Sequence, residues 1–204
     1  MDYINNKYNN LCKSPSDINE HLPTLFKYAS QCTSIIECGV RGCVSSWALV
    51  NGLLNNNKYT KKILLNDLQQ CNINELLYIT QPLDITIEYK WINNLDLIIN
   101  ENVDLVFIDT WHVYGQLKRE LDKFSKITNK YIIMHDTTVD EFYGETIRMG
   151  GNAAQESLNT GFPIEEINCG LWKAIEEFLE NNDKWRIKER YTNNNGLTIL
   201  ERQL

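Results

Sequence analysis

Strand-like and helix-like segments alternate along nearly the whole of this 204-residue chain, which predicts an α/β domain with a parallel sheet covered by helices on both faces. Three observations carry that expectation. The apolar run Ile35-Ile36-Glu37-Cys38 breaks into a glycine turn, Gly39-Val40-Arg41-Gly42, and then a helix start. A second run, Val103 to Ile108, is apolar and β-rich and stops on an acid, Asp109. The chain ends in two β-rich runs joined by Thr192-Asn193-Asn194-Asn195-Gly196, whose Asn-Gly is a hairpin signal.

The elements follow in order. Residues 1–32 read as a helical segment, in which Asp17 and Glu20 are spaced as a capping box and Leu22, Leu25, Phe26 and Ala29 recur at helical spacing. Trp47, Leu49, Val50, Leu53 and Leu54 continue a helix that Asn55-Asn56-Asn57 ends. Lys62 to Asp67 reads as the second strand, Asn72 to Ile79 as a helix closed by Pro82, and Asp84 to Tyr89 alternates as a third strand. A short helix is expected over Leu95–Ile99, before the strand ending at Asp109. Tyr114, Leu117, Leu121 and Phe124 then share one helical face, and Tyr131 to Met134 form the next strand. Leu171, Trp172, Ile175, Phe178 and Leu179 mark a last helix before strands over Lys184–Arg190 and Leu197–Glu201.

Composition narrows the function. A length of 204 residues without repeats or a low-complexity linker suits one domain over 1–204, and a net charge of −7 disfavours nucleic acid as a partner. No apolar run approaches the roughly 20 residues that cross a bilayer, and no leader is apparent, so the expectation is a cytoplasmic chain with no membrane partner. Six cysteines without a C-x-x-C pair read as reduced thiols. The partners expected are a small-molecule acceptor and, as an open alternative, a second copy in a homo-oligomer.

A strand, a glycine turn and a helix start make a docking point for a nucleotide-like ligand, with Ser45 and Ser46 placed to satisfy free amides at the helix start. The pair Gly39-x-x-Gly42 lacks the third glycine of G-x-G-x-x-G, which argues against a nicotinamide or flavin dinucleotide. Glu37-Cys38-Gly39-Val40-Arg41-Gly42 instead resembles the E/D-x-G-x-x-G turn of class I S-adenosylmethionine (SAM) methyltransferases. The resemblance spans roughly residues 16–204. It implies a Rossmann-like three-layer sandwich with a mostly parallel seven-stranded sheet, whose last strand inserts antiparallel through the C-terminal hairpin.

In an open sheet of this kind ligands lie across the carboxyl ends of the strands. Glu37, Gly39, Arg41, Gly42 and Ser45 would contact the cofactor at the first strand, with Arg41 able to pair with a ligand carboxylate. Asp67 would grip the ribose at the second, the alternative being a helix cap before Leu68. Asp109 closes the fourth strand, and Trp91 and Trp111 would sandwich the adenine.

The segments Val106 to Tyr114 and Ile132 to Thr138 resemble small metal-dependent O-methyltransferases, and more closely the branch with cephalosporin-hydroxylase-like and sugar O-methyltransferases. That resemblance implies a divalent cation on Asp109, His135 and Asp136, magnesium or manganese, and a polyhydroxylated acceptor. A His with two acids suits manganese, iron or zinc better than magnesium. Without a metal, His135 or His112 would act as general base beside Asp109. Residues 137–170 read as a lid over the acceptor, with Glu141, Tyr143, Glu145 and Arg148 as candidate contacts. Two other functions stay open: a catalytically silent SAM-binding regulatory subunit, and a metal-dependent hydroxylase-like enzyme on the same fold.

Overall fold

The computed structural model describes residues 1–203. Seven strands form one sheet: β1 (Ser34–Cys38), β2 (Lys62–Asp67), β3 (Thr86–Trp91), β4 (Val103–Ile108), β5 (Thr128–His135), β6 (Trp185–Tyr191) and β7 (Leu197–Arg202). Their order is β3-β2-β1-β4-β5-β7-β6. The pairs from β3 to β5 are parallel, whereas β7 runs antiparallel to both β5 and β6. The architecture is therefore the Rossmann-like sandwich with an antiparallel C-terminal hairpin.

Period-two alternation divides the central strands between two apolar cores. Ile35, Leu105, Phe107 and Ile133 face α2 (Leu22–Ala29) and α3 (Val44–Leu54) in one core. Ile36, Val106, Ile108 and Met134 face α5 (Tyr114–Phe124) and α9 (Leu171–Glu180) in the other. Two covered faces explain why β1 and β4 are buried at every position rather than at alternate ones.

The N-terminal segment is helical as expected over 1–32, and residues Asp2–Lys13 form its first helix, α1. The supposed capping box starts no helix: Asp17 is ion-paired with Arg41, and the Glu20 amide donates to the side chain of Asn194. A 3-10 turn at Asn19–His21 precedes α2, which opens with Pro23 in its first turn. The helix expected at Leu95–Ile99 shrinks to a 3-10 turn at Asn94–Asp96, while α4 (Asn74–Thr80) lies close to its expected place. Residues 137–170 carry three short helices, α6 (Glu145–Arg148), α7 (Ala153–Thr160) and α8 (Ile164–Asn168). No helix among the described residues is long and apolar enough to cross a membrane.

Candidate active site

A cleft of about 780 Å³ opens where the parallel strands release the chain at their carboxyl ends. That volume falls in the roughly 300–1,000 Å³ range of small-molecule sites. The turn after β1 forms its floor. Gly39 sits at φ +95°, and a Cβ there would stand 1.8 Å from the carbonyl oxygen of Asp109, so the approach of β1 to β4 admits glycine alone. Gly42 differs, because a Cβ there would meet nothing within 4 Å. The chain itself does not require that glycine, and the open space belongs to the cleft.

Helix α3 starts behind Cys43 with no side-chain cap. Ser45 and Ser46 do not fill that role; the Ser45 hydroxyl donates to Glu37 instead. Uncapped first-turn amides on the cleft wall are a ready site for an electronegative ligand group. Glu37 lies wholly buried beneath the turn and off the cleft wall, so it supports the turn rather than touching a ligand there.

Burial pushes the Glu37 carboxyl up to about 8 against the pull of the Ser45 and Ser46 hydroxyls. The folded state thus holds a proton that the unfolded chain releases above about 4.5. Its contribution to stability is complete below that value and is lost as pH rises to about 8. Glu37→Gln is expected to flatten this part of the pH profile, so that thermal melting of the variant drops less than wild type between about pH 5 and pH 8. Parallel profiles for the two proteins would refute the assignment.

Asp67 caps no helix, since α4 begins only at Asn74. Its Oδ2 accepts from the amides of Val40 and Arg41, each at 2.9 Å, and its Oδ1 from Gln69 at 2.8 Å. The carboxylate braces the glycine turn while remaining on the cleft wall. Arg41 also lines the cleft, but its guanidinium is paired with Asp17 at 2.5 Å. The aromatic sandwich does not form. Trp91 is 60% exposed, lies off the cleft wall and donates to the Leu68 carbonyl, as befits the outer strand β3. Trp111 does line the cleft, but it stacks on Phe162 of the lid at 6.0 Å and donates to Thr146.

The charged centre stands between β4 and β5. Asp109, His112 and Asp136 each bring a ligand-capable atom within 4.8 Å of the others. His112 Nε2 is 3.2 Å from Asp109 Oδ1 and 3.1 Å from Asp136 Oδ2. Its Nδ1 faces Asp140 at 3.4 Å and Glu145 at 3.6 Å. Both histidines approach the two acids: His112 Nε2 groups with them as a ligand-capable set, and His135 Nδ1 lies 3.3 Å from Asp109 Oδ1 and 3.5 Å from Asp136 Oδ2. As the last residue of β5, His135 shares the side of Ile133 and is buried against His21, with ring centroids 5.7 Å apart. Its Nδ1 lies 3.3 Å from Asp109 Oδ1 and its Nε2 3.2 Å from the Asn194 carbonyl. Both partners only accept, so both ring nitrogens donate and His135 is a buried imidazolium that holds Asp109 in place. Asp136 reaches the cleft because its backbone turns left-handed at φ 57°.

The charges reinforce one another. Burial alone would raise the Asp109 carboxyl, but hydrogen bonds from His112 and His135 outweigh it and hold the group well below the usual range. Burial alone would lower His112, yet Asp109, Asp140 and Asp136 hold it well above the ordinary histidine value. An imidazolium enclosed by carboxylates has no free lone pair with which to take a proton.

Of the lid residues, Glu145 reaches the cleft, whereas Arg148 grips the buried Asp140 with two hydrogen bonds of 2.6 and 2.9 Å, and Glu141 pairs with Arg190. Tyr143 is exposed and off the cleft. Backbone bonds from Glu145 to His112, Tyr114 to Cys169 and Leu171 to Asp140 strap the lid to the body. Asp140, Glu156 and Thr160 were not anticipated. Asp140 carried a signal in its position just past the fifth strand, but Glu156 and Thr160 sit on a short helix of mixed polarity with none.

No protein-family profile and no curated protein matches the chain. Solved structures do. The O-methyltransferase TomG from Streptomyces achromogenes, in complex with SAM, is 11% identical with a TM-score of 0.60, over 94% of this chain and 82% of that one. The SAH-bound methyltransferase PaMTH1 from Podospora anserina is 13% identical with a TM-score of 0.58, over 100% and 89% of the two chains. The N-methyltransferase NodS from Bradyrhizobium japonicum WM9 is 12% identical with a TM-score of 0.57, over 92% and 97%. At such identities the likeness defines the fold, which is that of the class I SAM-dependent methyltransferases.

Proposed function

We propose that this chain transfers the methyl group of SAM to a hydroxyl oxygen of a small polyhydroxylated acceptor, a sugar or a related metabolite. One observation carries the reading: a single cleft joins an open glycine turn and an uncapped helix start to a cluster of two acids and a histidine beneath a lid that turns Glu145, Glu156 and Thr160 to the cleft. When bound, SAM supplies a methyl group on a sulfonium, which leaves as a neutral thioether. Gly42, the α3 amides and Asp67 hold the cofactor, and Glu145, Glu156 and Thr160 offer acceptors and a hydroxyl to a polyol.

The donor set suits a divalent cation on Asp109, His112 and Asp136. With Nε2 given to the cation, His112 Nδ1 would stand 3.4 Å from Asp140, which Arg148 fixes; a carboxylate behind a ligating histidine is how such rings are oriented. The cation would supply positive charge that favours an ionised acceptor hydroxyl. The imidazolium state of His112 and the burial of His135 disfavour metal-free catalysis by a histidine base.

Calorimetry is expected to show SAM or S-adenosylhomocysteine binding at low-micromolar affinity or better, on the order of −8 kcal/mol, and no NAD binding. NAD binding without SAM binding would end the proposal. Asp67→Ala is expected to weaken the cofactor by roughly tenfold or more, through the lost ribose acceptor and a loosened turn, with the fold retained.

A further inference from the structure

The end of the cleft over β2 and β3 is uncharged apart from Asp67, and amides dominate it. Asn93 and Asn94 follow β3, Thr110 follows β4, and Gln116 lies in the first turn of α5; all four line the cleft. Behind them, one turn further along α5, Glu120 is fully buried. Its Oε1 accepts from Gln116 Nε2 at 2.8 Å, from Thr110 Oγ1 at 2.7 Å and from Asn94 Nδ2. With three donors on it, Oε1 acts as an acceptor whether or not Oε2 carries a proton. The amides of Asn94 and Gln116 must therefore both turn their NH2 groups inward.

That constraint leaves one atom unused. Gln116 Nε2 also donates to Asn94 Oδ1 at 3.1 Å, so the Asn94 amide is committed at both ends. The Gln116 amide is committed at nitrogen alone. Its Oε1 has no hydrogen-bond partner among the described residues, on a side chain that lines the cleft. Glu120 has thus fixed the polarity of the wall: what Gln116 offers a ligand is an acceptor.

We propose that Gln116 reads the nucleoside base, its Oε1 accepting a hydrogen bond from the exocyclic amino group of adenine, and that Glu120 is the positioning residue that keeps the amide this way round. The inference rests on the SAM reading above. The reacting end of the cofactor belongs at the Asp109 cluster, which leaves the uncharged end for a neutral base. A 6-oxo purine would set an oxygen against the Gln116 oxygen in a partly dry site, where two acceptors repel and neither is satisfied.

The test is calorimetry with S-adenosylhomocysteine and with S-inosylhomocysteine, the same molecule carrying a 6-oxo base. Wild type is expected to prefer the 6-amino compound by roughly tenfold or more. Gln116→Met, similar in size and without the acceptor, is expected to bring the ratio within about threefold by weakening the 6-amino compound. Glu120→Gln places an NH2 where the carboxylate accepted, frees the Gln116 amide to turn over, and is expected to lower the ratio too. A merely structural role would weaken both ligands equally and leave the ratio unchanged. Equal binding of the two compounds by wild type, or a ratio that survives Gln116→Met, overturns the inference; the wild-type comparison alone decides it should a variant fail to fold. Binding of neither compound by wild type would instead overturn the methyltransferase reading.

Discussion

His112→Ala is expected to lower methyl transfer roughly a thousandfold while S-adenosylhomocysteine still binds within about threefold of wild type. The ring bridges the acids after the fourth and fifth strands, at 3.2 Å from Asp109 and 3.1 Å from Asp136. Without it the two carboxylates are left with His135 alone, whose Nδ1 lies 3.3 Å from Asp109 and 3.5 Å from Asp136, and the proposed cation loses its nitrogen ligand. The acceptor hydroxyl then loses the positive charge that would favour its ionisation. The His112 side chain contacts Asp109, Asp136, Asp140 and Glu145 and none of the turn residues proposed to hold the cofactor, so cofactor affinity is spared. A screen of sugars and polyols supplies the acceptor, and single-turnover transfer gives the rate. Chelation is expected to reproduce the defect, and manganese to reverse it in wild type but not in the variant. His135→Ala is expected to cost less, about tenfold, because His135 acts through Asp109. Full activity in the presence of chelator would overturn the cation site, and a His135→Ala defect as deep as that of His112→Ala would return His135 to the reacting centre.

The second large effect separates the two glycines of the turn. Gly39→Ala is expected to destabilise the fold by roughly 4 kcal/mol or more, because the new Cβ would overlap the Asp109 backbone and the residue would have to hold φ +95°. Neither strand can yield cheaply, since β1 and β4 are paired in the middle of the sheet. Gly42→Val is expected to change stability by less than about 1 kcal/mol and to weaken SAM binding tenfold or more, its side chain filling space that the protein leaves open. Urea unfolding and calorimetry on both variants check the contrast. Loss of stability in Gly42→Val with intact binding would place the ligand elsewhere.

Much of this was legible along the chain. The order of strands and helices, the glycine turn, the acids at the ends of β2 and β4 and the terminal hairpin all follow from local rules of periodicity and turn chemistry, and those rules hold here because both faces of the sheet are covered. The failures were also local in origin. The capping-box spacing of Asp17 and Glu20 was real as a spacing but was claimed by Arg41 and the hairpin turn, partners distant in sequence.

By itself the sequence determined which residues stand at the carboxyl edge of the sheet, because strand length and turn position are written in neighbouring residues. Which of them touch was decided by the tertiary structure. His135 and His112 are equivalent as sequence signals, each within three residues of a strand-end acid. Strand alternation sends His135 to the side of Ile133, beneath the hairpin turn, where it backs both acids, while the loop after β4 places His112 between those acids and Asp140 and Glu145 of the lid. The same holds for Gln116 and Glu120, polar residues on an amphipathic helix whose meaning depends on Asn94, brought to them from beyond β3. Contacts of this kind join segments by packing through space, and no local periodicity carries them.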